Sequence, residues 1–206
     1  MLITFEGING CGKTSQVQSI YRYLIENKIS AITAKEPNSL GASIRRLLIE
    51  KTNLHPMTKL LIFQADRNEN VHKNIMPALN EGKVVLCDRF TDSTVAYQIY
   101  GNGLDPKLVL GLNRITSNKI SPDLTFWIDA SIKQCHRRNE SRSDKSTRHS
   151  YTSAYLDKIR SGYVEIAANS PGRVIRINGD RPLPVVTREI IAIILDRANL
   201  VASSGL

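Results

Sequence analysis

Cysteine is scarce in this chain: three residues at positions 11, 87 and 135, odd in number, far apart and without a C-x-x-C pair. That spacing argues against a disulfide scaffold or a thiolate zinc site and suits reduced thiols in a cytoplasmic setting. Long apolar runs are missing too. None approaches the roughly 18 residues that a membrane-crossing helix needs. No basic stretch followed by an apolar one precedes the first strand-like residues, so neither membrane insertion nor export is expected. Internal repeats, heptads and low-complexity linkers are also lacking, and 206 residues are expected to form a single domain, 1–206. Acid is in short supply, with 19 Asp and Glu against 28 Lys and Arg and a net charge of +9. Such an excess suits a nucleic acid or a small, highly charged phosphate. It is uneven: residues 133–149 hold Lys133, Arg137, Arg138, Arg142, Lys145 and Arg148 against only Glu140 and Asp144. Residues 139–150 (NESRSDKSTRHS) are polar throughout and read as a flexible, solvated loop.

The remainder alternates between two periods. Short apolar runs at 2–5, 31–34, 83–87, 123–128 and 173–177 read as strands. The near-continuous KVVLC is of the kind buried on both faces of a parallel sheet. Between them, helical spacing predicts helices over 13–27, 41–50, 58–79, 92–100, 106–117, 132–138, 151–168 and 184–198. Strands alternating with helices give an α/β class, with a five-stranded parallel sheet flanked by helices.

The first strand breaks at once into Gly7-Ile8-Asn9-Gly10-Cys11-Gly12-Lys13-Thr14, which fits G-x-x-x-x-G-K-[ST] between a strand and a helix. Glycines let successive backbone N–H groups converge on phosphate oxygens, and the following helix adds its unpaired N–H groups and positive dipole end. Lys13 supplies charge at the outer phosphates, and the Thr14 hydroxyl is a Mg²⁺ ligand type. The turn is therefore shaped around a nucleoside triphosphate, with a P-loop NTPase fold behind it. The loop alone does not name the reaction. An N-K-x-D guanine reader is absent and there is little length for a motor, which leaves transfer to a small acceptor.

Three more segments place charge near strand ends, where open α/β sheets bind ligands. They are AKEPNSLG leading to IRRLL, FQADR, and DRFTDSTVAYQ. In the last, Asp88 directly follows the buried VVLC run and suits Mg²⁺ or its water shell, while Arg89 can bridge two phosphates. A surface ion pair is the plainer alternative for Asp-Arg, but the buried strand aims the pair toward the glycine-loop side and favours a functional role, whereas for Phe63 a core aromatic is a strong competitor.

The stretches FEGINGCGKT, KEPNSLGASIRRLL, FQADR, DRFTDSTVAYQ, YGNGLD, PDLTFWIDA and GYVEIA, in this order and spacing, resemble the thymidylate kinase family. The resemblance implies a nucleoside monophosphate kinase that moves the γ-phosphoryl of ATP to dTMP, with Mg²⁺, as a cytoplasmic homodimer, through the helices over 58–79. It implies that Phe63 stacks on thymine, Arg67 hydrogen-bonds the base, Thr94 and Gln98 help to recognise it, and Tyr97 packs on the deoxyribose. Glu36 and Pro37 join the acceptor site, Arg45 and Arg89 hold the 5′-phosphate, and Asp88 with Thr14 organises Mg²⁺. The basic segment over 139–150 then resembles a mobile lid, with Arg138, Arg142 and Arg148 brought to the transferring group. Some members carry a catalytic arginine within the P-loop. Gly10 stands there, so the lid must supply that charge. The chain departs from the family pattern at Asn9, near the acceptor sugar, where an acid is usual, and at Lys35, Asn38-Ser39, Phe90, Ile99 and Asn102. The alternatives are a deoxynucleoside or other monophosphate kinase and a non-catalytic nucleotide-binding regulator. A nucleoside acceptor needs a carboxylate base for its hydroxyl, whereas Arg45 and Arg89 suit a phosphate. Nucleic acid is not an expected partner, because the cations lack interleaved aromatics.

Overall fold

Five parallel strands form one sheet in the order β2-β3-β1-β4-β5, with β1 Leu2–Glu6, β2 Ala31–Lys35, β3 Val84–Asp88, β4 Leu124–Asp129 and β5 Val174–Asn178. In this computed structural model, residues 1–37, 40–41, 44, 54–141 and 151–203 are described, with side chains to residue 198. The expected helix over 41–50 and the segment over 142–150 lie almost wholly outside the described residues, as do Arg45, Arg142 and Arg148. β1 is central, with Ile3 level with Leu86 of β3 and Leu124 of β4. Its side chains alternate between the two faces of the sheet, and all five are buried. Ile3 and Phe5 join Ile20, Leu24, Leu86, Phe126, Ile159 and Ile190 on one side. Leu2 joins Val71, Ile75, Val85, Cys87 and Phe90 on the other.

Four of the helices begin where a side chain satisfies a free N–H group. α1 (Lys13–Glu26) follows Gly12 in left-handed geometry. α2 (Pro56–Asn70) starts at a proline after His55, whose ring nitrogen accepts from the amide of Met57. α5 (Pro106–Thr116) repeats the device with Asp105. α6 (Ile132–Glu140) and α7 (Ser153–Ala168) are capped by the hydroxyls of Ser131 and Thr152. α8 (Leu183–Ser203) closes the chain over α1, where Thr187 donates to Gln16 at 2.8 Å. Among the described residues, no helix is long and apolar enough to cross a membrane.

The single helix expected over 58–79 is instead α2, a wider turn over Val71–Ile75 and α3 (Met76–Asn80). Pro77 lies at the start of α3 and has no N–H to return to Lys73, so the winding loosens just before it. The segment expected over 92–100 likewise splits into α4 (Thr91–Thr94) and a wide turn over Val95–Gly101. Here Asn102 N donates five residues back to Tyr97 at 3.0 Å. Gly162 of α7 meets that turn directly, since a Cβ there would lie 2.7 Å from the Tyr100 ring.

Candidate active site

The glycine loop is wedged between two walls. At Gly7 (φ 136°), a Cβ would sit 2.6 Å from the Ile128 carbonyl oxygen of β4. At Gly10 (φ 86°), it would collide with the Cys135 carbonyl oxygen of α6. The intervening side chains of Ile8 and Cys11 are buried in the core, which leaves the loop backbone to face the cleft. Lys13 folds back over it and donates from Nζ to the carbonyls of Gly7 (3.0 Å) and Ile8 (2.9 Å). Burial lowers the Lys13 pKa, and the neighbouring Arg89 lowers it further. Arg138 ties α6 to the same loop, donating to the carbonyls of Cys11 (3.2 Å) and Gly179 (3.0 Å).

β3 ends beside this loop. The Thr14 hydroxyl donates to Asp88 Oδ2, and Lys35 lies 3.7 Å from the same oxygen. Burial works to raise the Asp88 pKa, but Lys13, Arg89 and Lys35 overcome it and hold the carboxyl below its ordinary value. Arg89 follows in left-handed geometry, φ 76°, which turns its side chain back over the loop. Its guanidinium donates to the Gly7 carbonyl (3.0 Å), Ser93 Oγ (3.0 Å) and Asn9 Oδ1, and its carbon lies 5.2 Å from the Tyr97 ring centre. Burial opposes its charge, yet the phenols of Tyr97 and Tyr163 and the carboxylates of Asp88 and Glu6 leave its pKa raised.

A second polar group lies across the cleft, on α2 and α5. Arg67 is buried and gives Nε and Nη2 to Glu36 Oε2 at 2.9 and 2.7 Å, and Nη1 to Asn113 Oδ1 at 2.7 Å. Gln64 also donates to Asn113 (2.8 Å) and receives the Thr116 hydroxyl. Burial outweighs the attraction of Arg67 and raises the Glu36 pKa. Phe63, one turn before Arg67, is half-buried, and neither core cluster includes it. Pro37 follows Glu36 at the end of β2 and is half-buried. Thr94 and Gln98 are buried on the segment after β3, and Gln98 Oε1 accepts from Asn102, which in turn receives the Tyr155 hydroxyl at 2.9 Å.

The fold thus brings Lys13 and Arg89 onto the Gly7 carbonyl, with Asn9 and Tyr97 against Arg89, pairs Thr14 with Asp88 beside them, and joins Glu36 and Arg67 in a second group. Reading the sequence overlooked the residues that fasten them: Glu6, Gln64, Ser93, Asn113 and Tyr163. An acid closing a strand of mainly apolar residues, as Glu6 does, was the available signal. Gln64 and Asn113 carried none, because a polar residue on a helix reads as solvated until its neighbours are known.

The model of the family described as thymidylate kinase matches residues 5–190. A thymidylate kinase of Nostoc punctiforme is 40% identical over 184 residues, which span 86% of this chain and 87% of that one. One from Prosthecochloris aestuarii is 39% identical over 211 residues, spanning 96% and 94%. Among solved structures, a thymidylate kinase crystal structure from Ehrlichia chaffeensis superposes with a TM-score of 0.78 at 34% identity, covering 94% of this chain and 98% of that one.

Proposed function

The chain belongs to the thymidylate kinase family, and from that premise we propose how its own residues move the γ-phosphoryl of ATP onto dTMP, releasing dTDP and ADP. It is an ATP-dependent transferase. One domain, 1–206, carries both nucleotide sites. The observation that carries the residue assignment is the convergence of Lys13, Thr14, Asp88 and Arg89 on the mouth of the glycine loop.

ATP enters with its phosphates against the backbone of Gly7–Thr14 and the start of α1. Lys13, held by the carbonyls of Gly7 and Ile8 and by the Cys11 sulfur, exchanges them for the outer phosphates. Thr14 and Asp88 offer oxygen donors in contact with one another, and among the described residues no cluster of three His, Cys, Asp or Glu forms a protein cage for a metal. That fits magnesium, which keeps water and phosphate oxygens and takes one or two from protein. Held by Thr14 and Asp88, magnesium would supply positive charge against the phosphates of ATP. On the acceptor side, Arg89 and Arg45 hold the 5′-phosphate, Phe63 stacks on thymine, and Arg67, Thr94 and Gln98 read the base. Tyr97 packs on the deoxyribose, with Asn9, Glu36 and Pro37 lining the site. Arg138 from α6, with Arg142 and Arg148 from the lid over 139–150, brings charge to the transferring group. The 5′-phosphate oxygen is already ionised, so it attacks phosphorus without a general base, and the bond to the β–γ bridging oxygen breaks. Catalysis rests on alignment and charge neutralisation.

The protein works in the cytoplasm, a placement that three free, buried thiols support, and as a homodimer joined through the region of α2. Leu61 on α2 and Leu110 and Ile115 on neighbouring α5 are exposed apolar residues, which supports that face. The test is ADP release across dTMP, dUMP, dCMP, dGMP and thymidine. dTMP is expected to be the preferred acceptor, and thymidine should give no turnover. Lys13→Ala and Arg89→Ala are expected to lower kcat by roughly 10²–10³ or more with unchanged circular dichroism. Near-normal turnover in either refutes the assignment.

A further inference from the structure

Glu6 closes β1 one residue ahead of the glycine loop, wholly buried. A buried carboxyl is costly unless hydrogen bonds compensate it, and among the described residues its donors come from the segment after β3 and from α7. Oε1 accepts from the Phe90 amide at 2.8 Å. Oε2 accepts from the Ser93 hydroxyl and, at 3.3 Å, from the Tyr163 hydroxyl. Tyr163 is itself fixed by stacking on Trp127, ring centres 6.0 Å apart, and lies 3.0 Å from Ser93 Oγ. The Phe90 amide is the one that follows Arg89, whose left-handed backbone persists in a non-glycine residue only when its surroundings hold it there. Ser93 meets both ends of the arrangement. Its hydroxyl proton goes to Glu6, which leaves an oxygen lone pair to receive Arg89 Nη1 at 3.0 Å.

We propose that Glu6 is a positioning residue for Arg89. Through Phe90 it holds the elbow after β3, and through the Ser93 hydroxyl it aims the guanidinium at the acceptor phosphate. Glu6 touches neither nucleotide. This rests on the reading of Arg89 as the acceptor-phosphate ligand. The elevated carboxyl, pushed up to about 7 by burial first and Asp92 second, accords with a group surrounded by protein rather than solvent.

The test is a cycle on dTMP binding, followed by calorimetry, with turnover measured in parallel. Ser93→Ala removes only the hydroxyl between Glu6 and Arg89. It is expected to weaken dTMP binding roughly tenfold, as loss of a bond to a charged group does, and to leave the KM for ATP within about threefold. In an Arg89→Ala background the same change is expected to have no effect on dTMP affinity, because the partner it positions is gone. Glu6→Gln is expected to move acceptor and donor constants in the same split, and Glu6→Gln with Ser93→Ala to be no worse than the stronger single variant. If Ser93→Ala weakens dTMP equally with and without Arg89, or damages ATP and dTMP use alike, the positioning role is overturned. Should Glu6→Gln fail to fold, the Ser93 and Arg89 cycle decides alone. If the unmodified protein neither binds nor phosphorylates dTMP, it is the functional reading that fails instead.

Discussion

Two buried carboxylates, Glu6 and Glu36, are treated differently by their surroundings, and each makes its own prediction. Glu36 and Arg67 form an ion pair whose side chains are only 4% and 3% exposed. Arg67→Met removes the cation and strands the carboxylate, which is expected to cost about 3–5 kcal/mol in urea denaturation. Adding Glu36→Gln should recover most of it. Among the described residues no cation is bonded to Glu6, and its pKa rises from 4.5 to about 7, through burial first. Below pH 4.5 the folded and unfolded chains both carry the proton, and the group leaves stability unchanged. From 4.5 to 7 the unfolded chain ionises while the folded one stays protonated, so stability falls as pH rises, by about 3 kcal/mol in all. Glu6→Gln cannot ionise. Its stability relative to the parent chain is therefore expected to rise across that window in thermal melts, and a flat difference would contradict this environment for Glu6.

Among the elements, α6 governs what the glycine loop can hold. Its Ser131 cap receives further support from Asp180, whose Oδ1 accepts from the Ser131 amide and hydroxyl at 3.0 and 3.1 Å. This seats the Cys135 carbonyl against Gly10 and brings Arg138 to the Cys11 carbonyl. Position 10 has no space for an arginine, in accord with a charge delivered from another segment. Gly10→Ala would push α6 away or deform the loop. Its expected cost is about 1–3 kcal/mol in stability, with a several-fold rise in the KM for ATP. A KM unchanged alongside normal stability would show that the contact with α6 is dispensable.

For the whole molecule, an all-parallel sheet places the ends of β1 and β3 side by side, so the glycine loop and the Asp88-Arg89 step emerge next to each other. The helices on the flanks carry exposed apolar side chains. Leu61 is 51% exposed on α2, and Ile115 is 70% exposed on α5. If this face joins two copies, Leu61→Arg should halve the mass seen in sedimentation while the circular dichroism stays native. An unchanged mass would place the interface elsewhere or leave the chain a monomer.

The sequence by itself determined the α/β alternation, the glycine loop with Lys13 and Thr14, and the Asp88-Arg89 step. Each is local: a period of two or 3.6, a glycine pattern, or a charge directly after an apolar run. The helix breaks at Val71–Ile75 and Val95–Gly101 were less legible, because hydrophobic spacing tolerates a widened turn and only backbone hydrogen bonding reveals it. Tertiary structure alone decided the fastening of the site: Glu6 to Ser93 and Phe90 across more than 80 positions, Arg67 to Glu36 and Asn113, and the Cys135 carbonyl against Gly10. Those contacts join residues distant in the chain, and their energies depend on burial and angle. Neither quantity exists until the sheet has brought the strands together.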